Sequence, residues 1–170
     1  MKTETKRRFR KVAVGGTFDE LHRGHKVLLN TAFQVGEYVL IGLTSDEYII
    51  KMNKPHIVAP YYERLAMLVD FLEKSGFESH FEISPLYDPY GITLKKTDLD
   101  ALIVSQETAK TCEIINKKRT KIGLSPLNMV KINLVHAENK KPISTTSIRA
   151  NEIDKNGNII KHNRLPAKLK

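Results

Sequence analysis

The chain has 170 residues, 41% of them hydrophobic and 28% charged, the size and make-up of one soluble globular domain with its own core. Its longest apolar run, Tyr38 to Leu43, is six residues, which excludes a membrane-spanning helix; the basic N-terminus lacks the apolar stretch of a secretory signal, and the single cysteine, Cys112, excludes an internal disulfide and fits a cytoplasmic setting. The net charge of +9 sits at the ends, +5 over residues 1–11 and +5 over 155–170 against −1 for residues 12–154, which argues against a nucleic-acid-binding body and reads as basic arms, 1–9 and 159–170, around a domain of 10–158.

Phe9 to Val14 reads as a first strand, its apolar end suited to burial in a parallel sheet. A helix is expected from Gly24 to Gly36, with Val27, Leu28, Ala32 and Val35 on one side and Gly36 as its stop. Tyr38 to Leu43 is a second strand. Thr44 and Glu47 have capping-box spacing and open a short helix through Lys51. The basic loop Lys51 to His56 superficially resembles the KMSKS loop of class I aminoacyl-tRNA synthetases, but the chain has no room for a tRNA-binding domain. Pro60 begins the clearest helix, to Ser75 with Gly76 as its stop; Leu65, Leu68, Val69 and Leu72 form its packing stripe. Ser79 to Ile83 is a third strand, and residues 85–91 form a turn-rich loop long enough to bind something. Leu99 to Val104 is a fourth strand. Ser105 caps a helix from Gln106 to Ile122, closed by Gly123, with Ala109, Cys112 and Ile115 facing the sheet. Met129 to Val135 is a fifth strand, and a last helix runs from Ile143 to Ile153.

This alternation of strand and helix predicts an α/β fold with right-handed crossovers. Its ligand crevice lies outside the carboxyl ends of the first and fourth strands, where the winding reverses. The first strand feeds Gly15-Gly16-Thr17-Phe18-Asp19, then His22-Arg23-Gly24-His25 at a helix start. Two imidazoles beside free helical N–H groups suit a phosphate. A second stretch, Ile143-Ser144-Thr145-Thr146-Ser147-Ile148-Arg149, sets a row of hydroxyls at a helix start with an arginine a turn later. That combination also holds phosphate oxygens. Among the other histidines, His56, His80, His136 and His162, no metal-ligand spacing occurs.

The first stretch resembles the signature of the nucleotidylyltransferase superfamily with the HxGH motif, and the second resembles its ISSTxIR motif, with Thr145-Thr146 in place of Ser-Thr. Asp88-Pro89-Tyr90-Gly91 and Val104-Ser105-Gln106-Glu107-Thr108 resemble stretches of the archaeal and eukaryotic type of phosphopantetheine adenylyltransferase. The resemblance covers roughly residues 10–158. It implies a single Rossmann-like domain whose five-stranded parallel sheet has the order 3-2-1-4-5, with helices on both faces. It implies transfer of AMP from ATP to 4'-phosphopantetheine, giving dephospho-coenzyme A and pyrophosphate, with Mg²⁺ carried on the ATP phosphates. A related enzyme acting on flavin mononucleotide, nicotinamide mononucleotide or glycerol phosphate is the alternative, and a binding module that works through its basic tails is the reading of a different class.

Carried onto this chain, the resemblance makes His25 the main stabiliser of the α-phosphate, with His22 in support. Gly16, Thr17 and Phe18 belong to the nucleotide site with His25, and Thr17 lies between the two substrates. Ser144, Thr145, Thr146, Ser147 and Arg149 hold the triphosphate. The bacterial type has arginines after the fourth strand for the acceptor phosphate; here Ser105 to Thr108 offer none. Lys54 and Lys51, with Ser105, are the expected acceptor-binding residues. A monomer or dimer is the expected form, with no membrane partner.

Overall fold

The computed structural model describes residues 7–160 apart from 55 and 78. The expected arms fall mostly outside these residues, as does His162. Five strands, β1 (Phe9–Gly16), β2 (Gly36–Thr44), β3 (Phe81–Leu86), β4 (Ala101–Val104) and β5 (Asn128–Lys131), form one sheet in the order β3-β2-β1-β4-β5. Every neighbouring pair is parallel. The helices are α1 (Arg23–Val35), α2 (Asp46–Met52), α3 (Tyr61–Lys74), α4 (Ala109–Lys121) and α5 (Thr145–Arg149).

The pleat divides the strands between two cores. Val12 and Val14 of β1, Val39, Ile41 and Leu43 of β2, and Ala101 and Ile103 of β4 join Leu28, Leu29, Ala32 and Phe33 of α1 and Leu68 and Leu72 of α3. The alternate residues, Ala13, Leu40, Leu102 and Val104, join Cys112 and Ile115 of α4. A sheet covered on both faces needs strands that are apolar at every position, which is why these runs do not alternate with polar residues. Cys112 is buried packing, and burial raises its thiol pKa.

Several expected boundaries shift for local reasons. Ser45, not Thr44, caps α2: its Oγ accepts from the Tyr48 N–H at 3.1 Å. Thr44 instead ends β2, where the sheet ladder claims its backbone. Residues 105–108 form a turn, Ser105 N–H donating to Thr108 Oγ1 at 3.0 Å, so α4 starts at Ala109. β5 stops at Lys131; beyond it the Ile132 N–H still donates to the Val104 carbonyl at 2.9 Å, and the Val135 carbonyl accepts from the Ile143 N–H at 3.0 Å. α5 is only five residues. Gly76 and Gly123 end their helices with φ of 74° and 79°, the left-handed conformation expected of such stops.

Gly36 does something else. It is extended, with φ −108° and ψ 140°, and α1 passes into β2 with no residue between them. A Cβ there would lie 2.5 Å from Val12 Cγ2. Glycine is needed for close approach of β2 to β1, not for a reversed turn.

Candidate active site

β1 delivers Gly15 and Gly16 to the carboxyl edge of the sheet, and the chain then folds back on itself. Phe18 and Glu20 are left-handed, with φ of 50° and 57°. Such residues cost about 1–3 kcal/mol each when they are not glycine. Burial offsets the cost for Phe18, which is 0% exposed and packs edge-on against His25 with ring centroids 5.3 Å apart. Phe18 therefore supports the site from beneath and does not line it.

His22 is the N-cap of α1, just ahead of its first turn. Its Nδ1 accepts from the Gly24 N–H at 3.1 Å. This fixes the neutral ring with its proton on Nε2. His25, one turn in, stacks on His22 with centroids 3.8 Å apart and an interplanar angle of 21°. Burial lowers His22 to a pKa of about 4. Burial lowers His25 to about 3, helped by His22 and Lys54 and opposed by Asp19. Both rings are neutral at pH 7. His25 lines the adjoining cavity, and its Nδ1 is buried without a partner among the described residues.

That cavity, about 550 Å³, is lined by both expected motifs. Gly16, Thr17, His22 and His25 of the first motif line it together with Ser144, Thr145 and Thr146 of the second, and with Lys54, His56 and Ser105. An apolar arm extends between Leu86, Pro89, Tyr90, Ile92 and Leu102. Lys54 Nζ donates to Thr17 Oγ1 at 2.9 Å, and burial holds its ammonium pKa below the usual range. Ser144 Oγ accepts from the Ser147 N–H at 3.2 Å.

Not every expected residue reaches the cavity. Lys51 is exposed on α2 and does not line it. The helix ends at Met52 and Asn53 turns left-handed, which sends Lys54 inward and leaves Lys51 outside. Arg149 and Ser147 also lie off the wall. Arg149 is engaged instead: its Nε and Nη2 donate to the two Asp19 carboxylate oxygens at 2.9 and 2.8 Å, and Nη2 lies 3.1 Å from Glu20. Burial alone would raise the Asp19 pKa, but Arg149 and the Ala59 N–H hold it below its ordinary value. Thr145 Oγ1 donates to the Asp19 carbonyl at 3.1 Å. Arg149 and Thr145 thus lock the two motifs together.

Two functional neighbours escape sequence reading. Arg64 is 0% exposed on α3, donating to the carbonyls of Thr17, Thr44 and Ala59 at 2.9, 2.8 and 2.7 Å and to Asp46 at 2.8 Å. Its position four residues before Leu68, on the stripe facing the sheet, is the only local signal. His56, whose spacing from the other histidines carries no metal-ligand pattern, also lines the cavity.

A cytidylyltransferase-like family model matches residues 13–151. The phosphopantetheine adenylyltransferase of Pyrococcus furiosus is 44% identical over 156 residues, covering 92% of this chain and 97% of that protein. The one from Thermococcus gammatolerans is 45% identical over 155 residues, covering 90% and 96%. The chain belongs to the phosphopantetheine adenylyltransferase family. It is accordingly a nucleotidyltransferase, and the family match spans both Gly15 to His25 and Ile143 to Arg149. The fold is shared with a solved structure of a protein of unknown function from Archaeoglobus fulgidus, at a TM-score of 0.65 and 35% identity over 72% of this chain and 88% of that one. No helix among the described residues of this phosphopantetheine adenylyltransferase family member is long and apolar enough to cross a membrane.

Proposed function

We propose that this cavity transfers AMP from ATP to 4'-phosphopantetheine, releasing dephospho-coenzyme A and pyrophosphate in the cytoplasm. The observation that carries the reading is that the stacked His22–His25 pair and Ser144 to Thr146 line one cavity together with Lys54 and a set of apolar residues. Hydroxyls and imidazoles suit a triphosphate, and the apolar arm suits the pantetheine chain.

A phosphate oxygen of the acceptor attacks the α-phosphorus, and the bond to the β-phosphate breaks. No proton has to move to a side chain, so catalysis rests on positioning and on neutralising charge. His25 offers its Nε2 to the α-phosphate oxygens. His22, fixed by Gly24, holds the His25 ring at its angle. Thr17, with Lys54 bonded to its hydroxyl, sits between the two substrates. Lys54, with Ser105, takes the acceptor phosphate; Lys51 stands outside the cavity lining. Ser144 and Thr146 meet the triphosphate directly. Arg149 and Ser147 act from behind them, Arg149 through Asp19.

Mg²⁺ would arrive on the triphosphate. Among the described residues no group of three His, Cys, Asp or Glu side chains is arranged to hold a metal, and Glu107 is the sole carboxylate on the cavity wall. This donor set fits an ion carried mainly by phosphate oxygens and water. The ion supplies charge neutralisation at the phosphates.

Pyrophosphate release with each nucleoside triphosphate and each candidate acceptor tests the assignment. Turnover is expected with ATP and 4'-phosphopantetheine. Turnover with flavin mononucleotide, nicotinamide mononucleotide or glycerol phosphate instead would move the enzyme to another acceptor. No pyrophosphate from any pair, together with salt-sensitive binding of RNA or DNA, would overturn the enzyme reading.

A further inference from the structure

We propose that His56 is a third imidazole of the reaction, binding the pyrophosphate that leaves; the inference rests on reading the cavity as an adenylyl-transfer site. His56 follows the turn that ends α2 and lines the cavity beside Lys54 and Thr146. Its Nδ1 lies 3.2 Å from Thr146 Oγ1. One side chain thereby ties the segment after α2 to α5, two separate walls of the cavity. The ring is half-buried, yet its Nε2 is shielded from solvent and has no partner among the described residues. A shielded polar atom without a partner is costly, and a ligand oxygen would remove that cost.

The charges around the ring set its state. Burial disfavours its protonation, as do Lys54 and Arg149, while Asp19 favours it, and the balance lowers its pKa. In the neutral tautomer assigned to it, the Thr146 hydroxyl donates to Nδ1 and the ring carries its own proton on Nε2. A lone N–H donor on a ring bonded to Thr146 stands beside the hydroxyls proposed to hold the triphosphate. In-line displacement puts the leaving group opposite the attacking oxygen. The acceptor oxygen supplies the electron pair that forms the bond to the α-phosphorus. The pair of the broken bond leaves with pyrophosphate, and the Nε2–H bond strengthens as that charge develops.

Three variants separate the two ring nitrogens. His56→Gln places an amide near Nε2, His56→Asn places one near Nδ1, and His56→Ala removes both. They are assayed in the reverse direction, with dephospho-coenzyme A and pyrophosphate. The KM for pyrophosphate is expected to rise about tenfold or more in His56→Asn and His56→Ala, and less than about threefold in His56→Gln. The KM for dephospho-coenzyme A should stay unchanged in all three. A His56→Asn enzyme with wild-type kcat and KM for pyrophosphate overturns the assignment, and so does a parallel rise in both KM values, which marks a purely structural clip. A wild-type enzyme inactive in both directions overturns the adenylyl-transfer reading and this assignment with it, whereas an active wild type with unaffected variants overturns this assignment alone.

Discussion

At the scale of single residues, His25 does most with least support. Its ring lines the cavity and stacks on His22, and the proposed mechanism sets it against the α-phosphate. His25→Ala is expected to lower kcat by about 10²–10³ or more, the scale of losing one preorganised donor, with an unchanged circular dichroism spectrum. Turnover within threefold of wild type would sink that role. The same two rings set an acid limit on the free protein. Unfolded, each titrates near 6.5; folded, His22 titrates near 4 and His25 near 3. In that window the unfolded chain binds more protons, so their contribution is complete above pH 6.5 and declines as pH falls. Urea denaturation should show a loss of about 1–2 kcal/mol per ring between pH 7 and pH 5, and His25→Asn should flatten the curve. Asp19 cannot mimic this. Its lowered pKa gives a contribution present above its ordinary 3.8 and lost only as pH falls further.

At the scale of elements, Arg64 joins the loop after β1, the end of β2, the start of α2 and the segment before α3. Arg64→Met keeps much of the volume and removes every donor, leaving buried carbonyls without partners. We expect a loss of about 3 kcal/mol or more in urea denaturation, and a higher KM for both substrates because Thr17 and Lys54 lose their frame. A variant as stable as wild type would contradict this. Such elements also show what a sequence displays and what it hides. The strands were legible because a sheet covered on both faces demands unbroken apolar runs, and α3 because its stripe recurs at helical spacing. The partners of Arg64, by contrast, lie up to 47 positions away, and no local pattern marks a buried cation satisfied by distant carbonyls. Arg149 read as a phosphate ligand for the same reason: its real partner, Asp19, is 130 positions off. Lys51 and Lys54 were indistinguishable until the left-handed Asn53 decided which faces inward.

At the scale of the whole molecule, the cavity is assembled from segments that meet only when the chain is folded. ATP bound to it should therefore stabilise the fold. At a free concentration 100-fold above Kd the gain is about 2.7 kcal/mol, several degrees in Tm for a chain of this size. Thermal scans should show that shift with ATP and a smaller one with CTP at equal concentration. Equal shifts would mean that the base is not recognised. The strand order was legible only through the family resemblance that the motifs carry, since the alternation of strand and helix gives the fold class and not the order. The seam between the motifs, made by Thr145, Arg149 and Asp19, was not.

The direct passage from α1 into β2 at Gly36 has a consequence for what can be built into this chain. With no spacer, the number of residues from His25 to Val39 is tied to the alternation of β2. One inserted residue would send Val39, Ile41 and Leu43 to the side now held by Leu40, or else rotate α1 and carry His25 out of its stack on His22. His22 and His25 are keyed to the sheet like teeth on a gear, so tags, grafted loops and new termini belong elsewhere. The turn at Gly123, where an added Cβ would meet nothing within 4 Å, is the natural place for them.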